Sequence, residues 1–349
     1  MKFEDDLVGI FEIAEMAGVK SAAVANWRTR FDDFPAPIAT LRSGPVFYRS
    51  HIRRWLHLRR GKMATVISTI NLKGGVAKTT TTVAMAEILS AEFGKRVLVV
   101  DLDPQTNATV MLIGEQEWKN RNDNGHTLAQ LFKDALEEDS NARRFDLSAT
   151  LVNRVSNVRD VYSVDLLPSS LDLIEVQDRL ASMPSGPYFA NVPTDILRRA
   201  IRPIIDNYDY VLIDCPPNLG IITLNGLRIS TGYVIPTIPD FLSTYGIPQI
   251  ISRVEDFSQN IGEEIKVMGI IITKYRGQSS LHKNTVNSLR RDYKHVFKTV
   301  IPEATAIAAS AEFAPISTLR QKYGYQGEFN RYRNLTSEIM NTTLNGAIS

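Results

Sequence analysis

The chain has 349 residues, of which 44% are hydrophobic and 22% charged, and its formal net charge is +2. These values exclude a wholly disordered chain, and no apolar run reaches the roughly 18 residues that cross a bilayer. The single cysteine excludes an intrachain disulfide, and the acidic start is unlike a signal peptide, so we expect a cytoplasmic protein without a membrane partner.

The charge is distributed unevenly along the chain. Residues 1–62 contain 11 Lys and Arg against 7 Asp and Glu, a net charge of +4, which leaves −2 for the remainder. Six of these cations lie in the last 14 residues of the segment, beside aromatic residues. This surplus favours a nucleic-acid surface, with an ordinary solvated helix face as the alternative. A polar segment that ends at Lys62 predicts a boundary between a domain of residues 1–62 and one of residues 63–349.

The first domain begins with two predicted helices. One covers residues 10–17, with apolar residues at every third or fourth position, and Gly18 ends it. The second covers residues 20–30, with Val24 and Trp27 facing the core. Two helices joined by a glycine turn are typical of a helix-turn-helix DNA-binding unit. The expected DNA contacts on the second helix are Lys20, Ser21, Asn26, Arg28 and Arg30.

The segment that follows is typical of a small wing. Turn residues 34–37 precede a short extended segment, Gly44–Tyr48, and a predicted helix, Ser50–Leu58. This order resembles the winged hairpin and following helix of MerR-like domains. The expected backbone contacts to DNA are Tyr48, Arg49 and Arg53. The alternative is a helical dimerisation module that does not bind DNA.

Strands and helices alternate from Thr65 onward. A helix is predicted from Lys78 to about Phe93, after a glycine-rich turn. The predicted strands are Thr65–Ile70, which is mostly β-branched, the wholly apolar Val97–Val100, and Tyr210–Ile213, Val234–Ile238 and Val267–Thr273. This pattern predicts an α/β fold in which a mostly parallel sheet is flanked by helices on both faces. The polar residues 115–141 are predicted to form a surface excursion with one helix, Leu128–Leu136.

A phosphate-binding loop is the most specific signal. Residues Lys73–Thr80 read KGGVAKTT and lie between a strand and a helix. Gly74 and Gly75 allow the backbone to curl so that several N–H groups point at one phosphate, and the helix N-terminus attracts the same anion. Lys78 would reach the terminal phosphates, and the Thr79 hydroxyl would bind Mg²⁺.

Carboxylates follow two of the apolar strands. Asp101 and Asp103 come after the strand at residues 97–100, and Asp214 comes directly after the strand at 210–213. Acidic residues at the carboxyl ends of parallel strands suit a metal–phosphate site. Asp214 has the position of a Walker B aspartate, which holds Mg²⁺ opposite Thr79. Cys215 is interpreted as a packed, inert thiol.

The loop departs from the simple Walker pattern, because Leu72 and Ala77 stand where that pattern has glycine. It resembles instead the deviant Walker A box KGGVGKTT of the ParA/MinD family of P-loop NTPases. Lys73 corresponds to that family's additional signature lysine. With the two acidic strand ends, the resemblance covers about residues 64–325 and includes the larger ParA proteins of plasmid partition. The methyl group of Ala77 would strain a left-handed backbone by about 1 kcal/mol.

The resemblance implies ATP or ADP and Mg²⁺ as cofactors, and an ATP-dependent homodimer in which Lys73 crosses to the partner's nucleotide. It implies catalytic roles for Lys73, Lys78 and Asp103, with Asp103 positioning the attacking water. Thr79 would bind Mg²⁺ directly, and Asp214 and Asp103 would do so through water. The implied nucleotide contacts are Lys73, Gly74, Gly75, Val76, Ala77, Lys78, Thr79, Thr80, Asp214 and Pro216. Hydrolysis would be slow and stimulated by a ParB-like centromere-binding adaptor.

ParA dimers also coat the nucleoid through basic side chains near their C-terminus. Here basic residues surround a predicted helix, Leu281–Phe297, and more of them follow it. Those expected to contact DNA are Arg276, Arg290, Arg291 and Arg320, with Lys283, Lys294, Lys298, Lys322, Arg331 and Arg333 nearby. A solvated helix is the alternative. Glu303 stands where family members often carry arginine, which removes or moves one expected contact.

Three functions stay open at this point. The first is a partition ATPase that also represses its own operon through the N-terminal domain. The second is a nucleotide-responsive transcriptional regulator. The third is a ParA-like ATPase that positions another cargo or serves mobile-element defence. A MinD-like membrane role is not expected, because the tail after Leu335 is not a basic amphipathic helix. One cysteine also excludes a nitrogenase-type iron protein.

Overall fold

The structure is a computed structural model that describes residues 7–17, 21–31, 34–60, 64–136, 144–181 and 192–345. The chain divides into two compact units, Met1–Met63 and Ala64–Ser349. None of the helices in the described ranges is both long enough and apolar enough to span a bilayer.

The first unit combines short helices with a small antiparallel sheet. Its elements are β1 (Leu7–Val8), α1 (Ile10–Ala17), α2 (Ser21–Arg30), β2 (Ala39–Leu41), β3 (Gly44–Tyr48) and α3 (Arg49–Arg60). Strand β3 lies in the middle and pairs with β1 on one side and with β2 on the other. Strand β2 is exposed along its whole length.

The core of the first unit is small and aromatic. Val24 of α2 is fully buried, and the Trp27 ring lies 5.6 Å from that of Trp55. Both residues therefore face the core, as predicted from the helical spacing. Phe34 packs edge-on against Trp55 at 4.7 Å and against Phe47 at 5.5 Å, so the proline-rich segment is fixed to α3 and β3.

The second unit is built on a seven-stranded sheet. Its strands are β4 (Thr65–Thr69), β5 (Val97–Asp101), β6 (Val164–Leu167), β7 (Tyr210–Asp214), β8 (Gly232–Thr237), β9 (Lys266–Tyr275) and β10 (Val296–Pro302). They run parallel in the order β10-β9-β8-β4-β7-β5-β6. The predicted α/β fold with a mostly parallel sheet is confirmed.

Helices cover both faces of the sheet. They are α4 (Lys78–Ala91), α5 (Asn107–Asp123), α6 (Leu128–Asp134), α7 (Leu147–Thr150), α8 (Leu173–Ala181), α9 (Ile196–Ile201), α10 (Ile221–Ile229), α11 (Phe241–Tyr245), α12 (Ile247–Ile261), α13 (Ser280–Asp292), α14 (Thr305–Ala309), α15 (Leu319–Tyr323) and α16 (Glu328–Asn345). Alternate residues of β5 serve different cores: Leu98 packs with α6, α8, α10 and α12, and Val99 with α4, α5 and α16. Double coverage explains why β5 and β7 are buried along their whole length.

Strand β10 forms one edge of the sheet, and side chains occupy its exposed hydrogen-bonding groups. The Glu338 carboxylate of α16 accepts from the N–H groups of Lys298 (2.7 Å) and Thr299 (3.0 Å). Arg290 of α13 donates to the Lys298 carbonyl at 2.9 Å. An edge strand whose groups are already paired is a poor template for another strand.

Two sequence-based helix predictions are wrong in their bounds. The polar stretch 115–123 is not irregular but continues α5 beyond a kink at Gly114, and the Trp118 indole N–H donates to the Ser169 carbonyl at 3.3 Å. The helix predicted to reach residue 297 ends at Asp292, because Phe297 is buried in β10 instead. In the second case, burial of Phe297 in the sheet overrides the local helical pattern.

Candidate phosphate- and metal-binding site

The site lies at the carboxyl edge of the sheet, where β4, β5 and β7 end side by side. Asp214 at the end of β7 is in register with Thr69 of β4 and with Asp101 of β5. The loop after β4 and the acidic residues after β5 and β7 are therefore brought together, although up to 145 positions separate them in the chain.

The loop between β4 and α4 is held from both sides. Asn71 accepts from the Lys73 N–H at 2.9 Å and donates to the Pro236 carbonyl at 2.8 Å. Thr273 donates its hydroxyl to the Val76 carbonyl at 3.0 Å, and the Val76 side chain is fully buried. The curled backbone is therefore fixed by β8 and β9 before any ligand arrives.

Two residues of the loop have left-handed backbone. Gly75 has φ 75°, a conformation that glycine adopts without strain. Ala77 has φ 64° and ψ 34° immediately before α4, so its methyl group costs about 1 kcal/mol relative to glycine. The expected strain at this position is therefore present. A side chain at Gly74 or Gly75 would touch nothing within 4 Å, so both backbones are open to a ligand.

Lys78 begins α4 and lies inside the loop, only 6% exposed. Its Nζ donates to the Lys73 carbonyl at 3.3 Å. Burial lowers the pKa of Lys78, and the nearby Asp214 and Asp103 carboxylates oppose that shift. The ammonium group and the α4 N-terminus together make the loop a strong anion site.

Thr79 faces the buried end of β7. Its hydroxyl donates to Asp214 Oδ2 at 2.6 Å. Burial raises the pKa of Asp214 well above its usual range, the neighbouring Asp101 adds to the rise, and the Thr79 hydrogen bond opposes it. Thr82 supports the same corner by donating to Thr69 at 2.9 Å. A buried carboxylate of this kind gains most from a cation.

The two carboxylates at the end of β5 have different surroundings. Asp101 is fully buried and accepts from the N–H (2.9 Å) and hydroxyl (2.6 Å) of Thr109. Burial raises the pKa of Asp101 to about 7, and these hydrogen bonds limit the rise. Asp103 lines the cleft beside the loop and accepts from the Gln105 N–H at 3.0 Å. Asp101 is thus positioned to support the site, and Asp103 is positioned to contact a ligand in the cleft.

These side chains fit magnesium bound together with phosphate. In the part of the chain that the structure describes, no three His, Cys, Asp or Glu residues are grouped as a protein-only metal cage. Thr79, Asp214 and Asp103 offer oxygen donors only, as Mg²⁺ prefers. Mg²⁺ usually takes one or two protein ligands and completes its shell with water and substrate phosphate. The donor set therefore matches the expected ligands.

A cleft of about 530 Å³ extends from the phosphate loop to the ends of β9 and β10. Its far wall contains Lys274, Pro302, Glu303 and Ile307. Pro217 lines the cleft, whereas the predicted contact Pro216 is buried behind it. A volume of this size accommodates a small-molecule ligand much larger than phosphate.

Lys73 points away from Lys78 and contacts the start of α11. Its Nζ lies 3.2 Å from Asp240 and 2.9 Å from the Ser243 hydroxyl. Burial alone would raise the pKa of Asp240, but hydrogen bonds from Ser243 and Lys73 lower it overall. Sequence reasoning missed Asp240 and Ser243. The available signal was a carboxylate just after β8, the strand that pairs with β4.

Cys215 follows Asp214 and is fully buried. Burial raises the pKa of its thiol, and the adjacent Asp214 charge adds to the rise. A thiol that stays protonated in an apolar setting is a packing group.

The predicted DNA contacts of the first unit have mixed surroundings. Asn26 is exposed on α2, Ser21 is half-buried, and the exposed Arg28 lies over the Phe47 ring at 5.8 Å. Tyr48 is exposed and packs edge-on against His51, and Arg49 is half-buried. Lys20 and the side chains of Arg30 and Arg53 lie outside the described residues.

Most predicted DNA contacts of the second unit have partners within the chain. Arg276 pairs with Glu303 and Arg291 with Asp292. Arg290 donates to a β10 carbonyl, and Arg320 lies over the Phe329 ring at 5.0 Å. Lys322 is a correction: its side chain is fully buried and paired with Glu87 at 2.7 Å, so it is inaccessible to DNA.

Comparisons with known proteins agree with this fold. A family model described as an AAA domain matches residues 64–267. The sporulation initiation inhibitor protein Soj of Bacillus subtilis is 30% identical over 242 residues, covering 69% of this chain and 85% of that protein. The chromosome-partitioning ATPase Soj of Thermus thermophilus is 31% identical over 275 residues, covering 78% and 94%. Cobyrinic acid a,c-diamide synthase from Mycobacterium smegmatis, solved with ADP and magnesium, superposes with a TM-score of 0.61 at 25% identity, covering 81% and 97%.

Proposed function

The chain belongs to the ParA family of partition ATPases, and from that premise we propose that it couples ATP binding to dimerisation and DNA binding. It is a P-loop ATPase that uses ATP or ADP and Mg²⁺. The observation that carries the proposal is the convergence of Lys78, Thr79, Asp103 and Asp214 around one curled loop at the sheet edge.

The residues of the site have separable tasks in hydrolysis. The backbone of Gly74 and Gly75 binds the phosphates, and Lys78 neutralises their charge. Thr79 would hold Mg²⁺ directly, and Asp214 and Asp103 would hold it through water; the ion would supply further charge neutralisation on the phosphate oxygens. Asp103 orients the attacking water from the cleft wall. Phosphoryl transfer of this kind depends on positioning and electrostatics, and needs no covalent intermediate.

Dimerisation would complete the site. Lys73 is about one-third exposed and lies at the rim of the loop. In the proposed dimer its ammonium group leaves Asp240 and contacts the partner's triphosphate. ATP and dimer formation then stabilise one another, since each supplies charge that the other lacks.

DNA binding is proposed for both units. In the first unit, the exposed Asn26 and Arg28 of α2 support a base-reading and phosphate-contacting role. In the second, Arg276, Arg290, Arg291 and Arg320 would give sequence-independent contacts after exchanging their internal partners for phosphates. The protein would then be cytoplasmic and nucleoid-associated, and a ParB-like adaptor would stimulate its hydrolysis.

Two lysine variants test the nucleotide half of the proposal. Lys78→Ala removes nucleotide binding, whereas Lys73→Ala keeps it but prevents the ATP dimer. Calorimetry with Mg²⁺ and a slow ATP analogue measures the first effect, and size-exclusion chromatography measures the second. A normal dimer from Lys73→Ala would refute the assignment of Lys73 to the partner's nucleotide.

A nucleotide-responsive transcriptional regulator is the second candidate. The separate first unit, with its exposed α2 side chains, favours it. If the protein is a partition ATPase, the same unit would repress the protein's own operon. A mobility-shift assay with the upstream region and with random DNA separates specific from general binding. Equal affinity for the upstream region and for random DNA would exclude promoter control.

A further inference from the structure

The wall of the cleft carries a carboxylate that phosphate and magnesium binding do not use. Among the described residues that line the cleft, the carboxylates belong to Asp103 and Glu303. Asp103 lies beside the phosphate loop, whereas Glu303 follows the end of β10 on the far wall. The wall around Glu303 is apolar, with Pro302, Ala304 and Ile307 as its neighbours. Glu303 is therefore an isolated charge at the end of the cleft away from the loop.

The backbone and the side chain of Glu303 are both held in place. Its N–H donates to the carbonyl of Tyr275, the last residue of β9, at 3.2 Å. Its carboxylate Oε2 accepts from Arg276 Nε. Arg276 is fixed in turn, because its own N–H donates to Nδ1 of the buried His282 at 3.1 Å. A carboxylate that is held in this way is preorganised, so a ligand has little left to order.

One oxygen of the Glu303 carboxylate is open to a further donor. The pair with Arg276 uses Oε2, and no described residue donates to Oε1. The Glu303 side chain is 45% exposed, so a ligand in the cleft can reach it. The hydrogen bond from Arg276 lowers the pKa of Glu303, so the group is ionised at neutral pH and only accepts hydrogen bonds. A ligand group that binds Oε1 must therefore be a donor.

The position of Glu303 relative to the phosphate loop identifies the ligand group. A nucleotide whose phosphates lie at the loop extends its nucleoside into the remainder of the same cleft. We propose that Glu303 Oε1 accepts a hydrogen bond from that nucleoside, either from the exocyclic amine of adenine or from a ribose hydroxyl, and so contributes to nucleotide selectivity. A few polar groups in an otherwise apolar pocket commonly fix the orientation of a ligand. The inference rests on the nucleotide binding in the proposed function, but not on the proposed dimer.

The loss of this hydrogen bond has an expected size. Glu303→Ala should weaken binding of ADP about three- to tenfold, the range for one net hydrogen bond. Glu303→Gln keeps the shape and one acceptor oxygen, so it should lose less. Arg276→Ala removes the ion pair but leaves the carboxylate, which the backbone bond to Tyr275 still places. Its effect on ADP affinity should be less than about twofold, because exposed ion pairs contribute little.

The test is calorimetry on the full chain with Mg²⁺ and ADP, which avoids the ATP-dependent dimer. Three analogues each lack one donor: purine riboside diphosphate lacks the exocyclic amine, and 2′-deoxy-ADP and 3′-deoxy-ADP each lack one ribose hydroxyl. The wild type and Glu303→Ala are titrated with all four nucleotides. Glu312→Ala is the matched control, because Glu312 is an exposed carboxylate that does not line the cleft.

We expect the loss caused by Glu303→Ala to disappear with one analogue and to persist with the other two, which identifies the donor. An equal loss with all four nucleotides would overturn the inference, and so would an unchanged affinity for ADP. An equal loss in Arg276→Ala would assign the effect to the ion pair and would also overturn it. In each of these results the wild type still binds ADP, whereas a wild type that binds no nucleotide would remove the proposed function itself.

Discussion

The Thr79 hydroxyl donates a 2.6 Å hydrogen bond to the Asp214 carboxylate, across 135 positions of the chain. Thr79 is the second residue of helix α4, and Asp214 is the last residue of the buried strand β7. Their contact therefore depends on the pairing of β4 with β7. The contact joins the hydroxyl and carboxylate expected to hold Mg²⁺ on either side of the ion.

The first prediction concerns that pair. Thr79→Val removes the hydroxyl, and we expect affinity for Mg²⁺–ATP to fall about tenfold or more, the range for hydrogen bonds to charged groups. Affinity for ATP in the presence of a chelator should change much less. Thr79→Ser keeps the hydroxyl and serves as the control in the same calorimetric titration. Equal losses with and without magnesium would show that Thr79 does not act through the metal.

The second prediction separates binding from turnover at Asp103. Asp103→Ala keeps the nucleotide-dependent dimer but lowers hydrolysis by about 100-fold or more, because the attacking water is no longer oriented. Phosphate release measures the rate, and size-exclusion chromatography measures the dimer. Asp160→Ala, an exposed carboxylate elsewhere, is the control. Phosphate release at the wild-type rate would exclude this role of Asp103.

The third prediction concerns the strained alanine in the loop. Ala77→Gly relieves a left-handed residue but adds freedom to the unfolded chain, so we expect a gain of about 0.5–1 kcal/mol in unfolding free energy. The same substitution at Ala84, inside α4, should destabilise the fold. Denaturant unfolding of both variants supplies the comparison, and a loss of stability in Ala77→Gly would contradict the strain.

The fourth prediction concerns the buried pair between α4 and α15. The Lys322 ammonium contacts Glu87 at 2.7 Å and Asn157 at 2.8 Å, and both charged side chains are fully buried. Lys322→Met leaves an uncompensated carboxylate and should destabilise the fold by about 3–5 kcal/mol. Adding Glu87→Gln should recover much of that loss in a double-mutant cycle. Strictly additive losses would mean that the two charges do not interact.

The fifth prediction concerns pH. The pKa of Asp101 is about 7 in the folded chain, against 3.8 for a free carboxyl. The folded state therefore binds the Asp101 proton more tightly than the unfolded state does. The contribution of this proton to the unfolding free energy is complete below pH 4 and is lost as the pH rises through 7. Relative to Asp101→Asn, the wild type should lose up to about 4 kcal/mol between pH 4 and 7. Unfolding measured without nucleotide or magnesium gives this difference, and a pH-independent value would contradict it.

Local chemistry explains why the phosphate loop and the acidic strand ends could be predicted from the sequence. Glycine, lysine and threonine at fixed spacing can be read without a fold, because a phosphate loop depends on neighbouring residues. The carboxylates after β5 and β7 were also predictable, since apolar strands of a parallel sheet end at one edge. The residues of the cleft wall could not be predicted in this way, because Lys274 and Ile307 approach the wall from distant segments.

Other features depended on burial that no local pattern reports. Lys322 looks like one more basic residue beside Arg320, yet its ammonium group lies inside the second unit against Glu87. The polar stretch through Trp118 looks like a loop, yet it continues helix α5, and the Trp118 indole donates to the distant Ser169 carbonyl. In both cases the deciding partner lies more than 50 positions away.

By itself, the sequence determined the fold class, the phosphate loop and the acidic strand ends, because each follows from residue type and short-range spacing. Only the tertiary structure decided that Lys73 rests on Asp240 and Ser243, and that α11 turns three apolar side chains to solvent. Those features arise where strand order places β8 beside β4. The hydrogen bonds that fix strand order join residues far apart in the chain. The spacing of residues along the sequence therefore does not specify that order.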